Sequence, residues 1–549
     1  MNFFNSQNRH LLISELKKKT FDLVIVGGGI TGAGIALDAA SRGLNVALVE
    51  KGDFASGTSS RSTKLIHGGL RYLKQLELAL VAKVGKERAI VHKMAPHLVR
   101  PEKMLLPLFS GNIFSKFILS VGLFLYDRLA GVPARDRYQM LKPSEGELLE
   151  PLLSGIPIIG AGYYAEYRTD DARLTLETLK TAATFDARCI NYVQAQSVVY
   201  DSAGKVAGLA CKDGLVGDEF QIDAQVVVNA TGPWAEKLKN LPQSKKLFLT
   251  KGVHIVLAHE LVPIKQAIYF NHSDGRMIFL IPRGRATYIG TTDTPHAGSP
   301  DEVKVAVEDV EYLISAVNQV FPTLNLSIKG VESSWAGLRP LIFEEGKKAS
   351  EMSRKDELYF DSSGLVTIAG GKLTGFRKMA EMVVDGVINK FFINKKEELG
   401  KAKTKSLKLF GGEFRSYHEV EKFFVELCAR AKPFGLVRGD VRELVFCYGT
   451  RSSGIVEEYI RGVEGGLMKE EALVQATLGY ALKEEMLLKM VDFFNQRTGK
   501  LFFHISEIKK DMPIVLRFMA EHFAWDEARK RKELDTLKKA MFDATVVLR

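Results

Sequence analysis

The chain has little cysteine and no long apolar run. Its four cysteines, Cys189, Cys211, Cys428 and Cys447, lie far apart and form no CxxC pair, which argues against a disulfide framework and a cysteine-based zinc site. That usage fits a reducing, cytoplasmic setting, and no metal centre is expected. The first twenty residues are polar and lack an apolar h-region, so no secretory signal is expected. The most apolar later segment, 117–126 (FILSVGLFLY), has ten residues, whereas a helix needs about 20 to span a bilayer. Zinc-finger spacings and RNP-type aromatic motifs are missing, which leaves nucleic acid without a recognisable reader.

What is present is a globular composition, 46% hydrophobic and 26% charged over 549 residues. That length exceeds one core and implies two or three domains. A formal net charge of +11 suits nucleic acid, an anionic membrane surface or an anionic substrate without choosing among them.

The most informative stretch is 21–50, FDLVIVGGGITGAGIALDAASRGLNVALVE, which reads as strand, tight turn, helix, strand. Gly27 allows the turn, Gly29 lets backbone approach a pyrophosphate, and Gly32 lets the helix pack on the strand, while the helix N-terminus offers N–H groups to phosphate. Glu50 ends the second strand where a ribose hydroxyl needs an acceptor. A glycine-rich turn in an ordinary α/β protein explains the glycines alone, but not the flanking strands and acid together. Two later strands also empty into small-residue turns. One is 224–229, followed by Ala230, Thr231, Gly232, Pro233 and Trp234; the other is 365–369, followed by Gly370, Gly371, Lys372, Leu373, Thr374 and a helical pattern to 392.

The rest divides around these turns. Residues 52–73 form a loop rich in Gly, Ser and Thr, and 77–93 reads as a basic helix with a solvated face. The apolar stretch 104–129, flanked by Lys103, Lys116 and Arg128, fits an interfacial helix and a buried hairpin or helix equally. Asp170 or Asp171 caps a helix, strands follow at 193–200 and 206–211, and 251–341 reads as a separate α+β domain. The charged segment 395–405 reads as a linker, after which nearly everything is helical, including 470–497 and 521–539.

The motifs GGGITGAGIALDAASRG, TSSRSTKLIHGGLRYL, VVNATGPW, KGVHIV, IGTTDT, GLRPL, AGGKLTGFRKMAE and CYGTR occur in this order. Together they resemble the FAD-dependent, quinone-linked glycerol-3-phosphate dehydrogenases over roughly 21–499. The resemblance implies an α/β FAD-binding Rossmann-like domain with an α+β substrate domain and a C-terminal all-α cap. The expected segments are FAD-binding 1–80, 166–245 and 346–394, a connecting and membrane-associating 81–165, a substrate domain 246–345, a linker 395–405 and a helical domain 406–549.

By matching motifs, the resemblance implies FAD contacts at Gly27, Gly29, Gly32, Glu50, Ser59, Ser60, Lys64, His67, Gly68, Ala230, Gly232, Gly371, Lys372, Leu373 and Thr374. It implies sn-glycerol 3-phosphate as substrate, with Arg71, Tyr72, Arg339 and Arg354 at the phosphate, since arginine grips phosphate bidentately. His254 is the preferred base, although its alternation with Val253 and Ile255 alone reads as a buried structural histidine. Arg339 or His67 can instead stabilise the alkoxide, and Lys372 supplies positive charge near the flavin. Membrane quinone and a peripheral place on the inner face of the cell membrane follow from the family, and a homodimer is left open. An oxygen-using oxidase is the alternative, disfavoured by the compact spacing from Gly252 to Arg339; a flavin amine or amino-acid oxidase and a non-catalytic nucleotide-binding protein are the others.

Overall fold

The strands Thr20–Val26, Val46–Val49, Arg188–Ile190, Glu219–Asn229 and Leu365–Ala369 are rich in apolar and β-branched residues. They lie side by side as a parallel sheet, with Thr20–Val26 between Glu219–Asn229 and Val46–Val49. Near-continuous apolar runs of this kind belong to strands covered on both faces. Ile30–Arg42 packs between Asp171–Thr184 and Phe376–Phe391, and Asp170 accepts from Arg173 N–H at 3.1 Å as the expected N-cap. This computed structural model describes residues 4–67, 78–109, 116–130, 132, 136–238, 247–343 and 356–545.

A second, largely antiparallel sheet places Val331–Ile342 beside Leu247–Ala258, followed by Ala286–Gly290, Met277–Arg283, Ala267–Asn271, Arg100–Phe109 and Ile158–Arg168. Alternate residues of Leu247–Ala258 enter different cores. Val253, Ile255 and Leu257 pack toward the helix Val307–Val320, while Val256 joins Tyr288 and Trp335 against the C-terminal helices. From Tyr417 onward the chain is helical, ending with Glu527–Thr545.

Four expectations need correction. The segment 81–165 is not a connection, because Arg100–Phe109 and Ile158–Arg168 pair with each other inside the second sheet; their register partners lie too far apart in sequence to leave a local signal. The helix Leu78–Met94 does not carry a merely solvated charged face. Glu87 binds Arg377 at 2.5 Å and Arg88 binds Glu166 at 2.9 Å, all four largely buried. The segment 395–405 contains the short helix Lys396–Leu399 and is pinned by buried Thr404, which meets Asp38 at 3.2 Å. The helical region 470–497 breaks after Glu484 and resumes at Met490. Among the described residues, no helix is long and apolar enough to cross a membrane, and no group of three or more His, Cys, Asp or Glu side chains is placed to hold a metal ion.

Buried ion pairs join the helical domain to the nucleotide domain. Arg497 binds Asp53 at 2.5 Å with both side chains almost wholly buried, and Glu485 binds Arg173 at 2.7 Å. Removing one member of such a pair strands the other in low dielectric. Arg497→Met is expected to cost about 3–5 kcal/mol, read as a lower urea midpoint at unchanged slope; an unchanged midpoint would show that this seam carries no weight.

Candidate functional site

Thr20–Val26 delivers the chain into Gly27, where a φ of +114° and a Cβ position only 2.6 Å from the Ala230 carbonyl exclude a side chain. A Cβ on Gly32 would sit 1.9 Å from the Gly27 carbonyl, so the first helical turn presses directly on the loop before it. Ile30 N–H donates to Ser59 Oγ at 2.9 Å, strapping the turn Thr58–Ser60 across the helix start. N–H groups of a first turn have no acceptor inside their own helix, and Gly29 and Thr31 line the adjoining cleft.

That cleft has a volume of about 570 Å³. The turns at Gly27–Gly29, Ala230–Gly232 and Gly370–Leu373 all line it. Lys51, Arg61, Lys237 and Lys372 face it against the acids Glu50 and Asp301, a surplus of positive charge that suits a pyrophosphate. Glu50 Oε2 accepts from Gly28 N–H at 2.7 Å and Oε1 from Gly52 N–H at 2.8 Å. Burial pushes its carboxyl above the usual value, and these two donors oppose that shift. Glu50 thus fixes two turns to each other at the cleft wall.

Apart from Gly32, His254 and Arg339, the expected site residues fall into three sets. Gly27, Gly29, Glu50, Ser59, Ala230, Gly232, Gly371, Lys372 and Leu373 line the cleft. Behind its wall, Ser60 Oγ donates to the Gly57 carbonyl at 3.4 Å, buried Lys64 Nζ pairs with Asp171 at 2.5 Å, and Thr374 Oγ1 donates to the His67 carbonyl at 3.2 Å. Gly68, Arg71, Tyr72 and Arg354 lie outside the described residues.

Arg339 and His254 share one face of the second sheet. Gly252 pairs in register with Gly337 between them. A Cβ on Gly252 would stand 2.4 Å from Arg339 Nη2, and one on Gly337 would stand 2.5 Å from the Arg61 carbonyl. The missing side chains therefore admit the Arg339 guanidinium and the 61–64 loop against the sheet. Arg339 is held by Asp293 Oδ1 at 3.0 Å, the Thr292 carbonyl at 3.1 Å and Thr291 Oγ1 at 3.0 Å. His254 is 1% exposed, stacks on Trp335 at 4.8 Å and meets Thr63 Oγ1 through Nε2 at 2.9 Å. Burial, then Arg339 and Lys64, push its pKa well below the ordinary imidazole value, so the ring is neutral near pH 7.

Sequence reading missed the residues that bridge the rim. Asp301, from the second-sheet domain, binds Lys51 Nζ and Lys237 Nζ at 2.5 Å each and accepts from Trp234 Nε1 at 2.8 Å. Burial, the largest single influence, raises the Asp301 carboxyl, but hydrogen bonds from Lys237, Lys51 and Trp234 together outweigh it and hold the group well below the carboxylate range. Trp234 had a local signal, the turn after 224–229; Asp301 had none, because its partners come from another domain.

A glycine-turn cleft covered by a mixed sheet defines the class. Residues 22–377 match the family model described as FAD dependent oxidoreductase, and residues 402–530 match the C-terminal domain of alpha-glycerophosphate oxidase; the chain belongs to the FAD-dependent oxidoreductases. Within them it belongs to the aerobic glycerol-3-phosphate dehydrogenase family. It is 46% identical to the aerobic glycerol-3-phosphate dehydrogenase of Bacillus subtilis (strain 168) over 555 residues, covering 99% of each chain. The glycerol-3-phosphate dehydrogenase from Bacillus halodurans complexed with FAD superposes with a TM-score of 0.84 at 40% identity, covering 100% of this chain and 99% of that one. The L-alpha-glycerophosphate oxidase from Mycoplasma pneumoniae, at 18% identity and a TM-score of 0.54 over 68% of this chain and 95% of that one, shares the fold.

Asp301→Asn should weaken the closure over the cleft. Exposed ion pairs contribute about 0–1 kcal/mol each, so FAD release, followed by the fluorescence of the freed flavin, is expected to speed up about two- to tenfold. An unchanged release rate would remove the rim contact from any role in retention.

Proposed function

We propose that the chain oxidises the C2 hydroxyl of sn-glycerol 3-phosphate to the ketone of dihydroxyacetone phosphate, passing the electrons through FAD to membrane quinone. The observation that carries this reading is the paired-glycine seat that admits Arg339 and the 61–64 loop side by side on the sheet, in a chain matching the dehydrogenase family over 99% of its length. FAD supplies the acceptor for the C2 hydride. The protein's part is to bind the phosphate dianion, remove the hydroxyl proton and keep the reacting carbon in place.

Arg339 is the phosphate contact, since a planar guanidinium fixed in orientation by Asp293, Thr291 and the Thr292 carbonyl matches the geometry of phosphate oxygens. Arg71, Tyr72 and Arg354 are proposed to join it on motif grounds. Neutral His254 is the proton acceptor; because its ring is enclosed, the proton reaches Nε2 by way of the Thr63 hydroxyl. Lys372, lining the cleft, supplies fixed positive charge. The test is an anaerobic stopped-flow experiment: glycerol 3-phosphate, but not glycerol, should bleach the flavin, and a soluble quinone should reoxidise it faster than oxygen does. Fast reoxidation by oxygen would make the protein an oxidase, and absence of bleaching would overturn the substrate. In the same assay, Arg339→Gln should raise the substrate concentration for half-maximal bleaching about 10- to 100-fold without loss of bound FAD.

The membrane partner is read from the helix Lys116–Ala130. Leu119, Leu123 and Tyr126 are buried against the second sheet, while Phe117 is 76%, Ile118 51% and Phe124 46% exposed. Exposed Lys116 and Arg128 stand toward its two ends. An amphipathic element with apolar residues outward and cations beside them lies in an anionic lipid interface. Phe117→Ser with Phe124→Ser is expected to abolish co-flotation with phosphatidylglycerol-containing vesicles while leaving flavin bleaching intact; undiminished flotation would place the docking surface elsewhere.

A further inference from the structure

At the edge of the C-terminal domain's core, two rings gather guanidinium groups that do not line the nucleotide cleft. Phe424 of Tyr417–Ala431 and Phe446 of Arg438–Tyr448 stack with centroids 6.3 Å apart and planes 26° apart. Arg438 Cζ lies 4.6 Å from the Phe424 centroid, and Arg442 Cζ lies 5.4 Å from that of Phe446. Arg100, arriving from the second sheet, lies 3.9 Å over Phe446. One aromatic platform thus gathers three cations across the seam between two domains.

Among the described residues, none of the three has a carboxylate within ion-pair distance. Of the nearby acids, Glu102 is bound by Arg168 at 2.7 Å and Glu443 by His504 at 3.5 Å, while Glu421 stands by Tyr417 outside ion-pair distance of the three arginines. Arg438 and Arg442 occupy i and i+4 of one helix, a spacing at which like charges are destabilising neighbours. Arg100 stands directly opposite Arg168 across the antiparallel pair, again like against like. Burial, Arg168 and Arg442 together push the Arg100 guanidinium down to about 9. An arrangement that strains folding in isolation is relieved by an anion. Guanidinium groups lying over rings keep their N–H donors in plane at the ring edge, which is how arginine grips phosphate oxygens.

We infer that Arg100, Arg438 and Arg442, gathered on Phe424 and Phe446, form a phosphate-binding site on the C-terminal domain, separate from the substrate contact at Arg339. The strands bearing Arg100 and Arg339 are five steps apart in the second sheet, roughly 24 Å at the usual strand spacing. The ligand is a phosphate group, borne either by a small soluble ester or by a lipid headgroup.

The test uses the FAD-loaded protein, inorganic phosphate and the exposed pair Arg438→Gln with Arg442→Gln, read by calorimetric titration and thermal melting without turnover. The wild type should bind phosphate at two sites, the double variant at one, and Arg339→Gln should retain the site the double variant loses. In phosphate-free buffer the double variant should melt no lower than wild type, because repulsion is removed with the ligand site. Vesicles of phosphatidylcholine with and without phosphatidylglycerol separate the sources: lost binding of inorganic phosphate marks a soluble ligand, and a loss confined to the anionic vesicles marks a headgroup. Unchanged binding of both probes, or a double variant that melts lower without phosphate and responds to phosphate as wild type does, overturns the site. Failure of the glycerol 3-phosphate assay would leave this measurement unaffected.

Discussion

Asp53 lies three residues beyond Glu50, buried, and its charge is answered from the far end of the chain by Arg497. Asn191 Nδ2 also donates to Asp53, at 2.8 Å, and neighbouring Phe54 stacks on Phe4 at 5.3 Å and closes on Gly28. The loop that carries Glu50 and Lys51 into the cleft is therefore positioned by the N-terminus, the nucleotide sheet and the helical domain at once. Buried charges of this kind are expensive unless every partner is present, so the cleft wall and the domain seam stand or fall together.

The second sheet meets that wall through absences. Gly252 and Gly337 are register partners, and between them they make room for a guanidinium and a loop. The motifs KGVHIV and GLRPL, far apart in sequence, are thus two halves of one surface. Their glycines open the space, Arg339 enters it, and Trp335 and His254 stack beside it. A similar economy governs the first turn, where Gly32 exists because the Gly27 carbonyl occupies its side-chain position.

How much of this was legible depended on distance along the chain. The strand–turn–helix unit was readable because its constraints act within about a turn of helix, and the Asp170 cap because N-capping is local. The strands at 100–109 and 158–168 were not, since their pairing partners leave no periodic trace nearby. Glu87 and Arg88 looked like members of a solvated face because a helix shows its own spacing but not that Arg377 and Glu166 approach from elsewhere. Asp301 was invisible for the same reason. His254 was legible as a strand residue, and the alternation that suggested burial describes its surroundings correctly.

The order of strands in the nucleotide sheet bears on how the molecule comes into being. Thr20–Val26 is among the first segments made, yet its neighbour Glu219–Asn229 follows some two hundred residues later, and another partner of that strand, Leu365–Ala369, later still. The counter-ion of Asp53 waits for residue 497. On the ribosome the cofactor loop therefore emerges long before the cation that pairs with its acid, and the site that opens the sequence is complete only once the helical domain has been made.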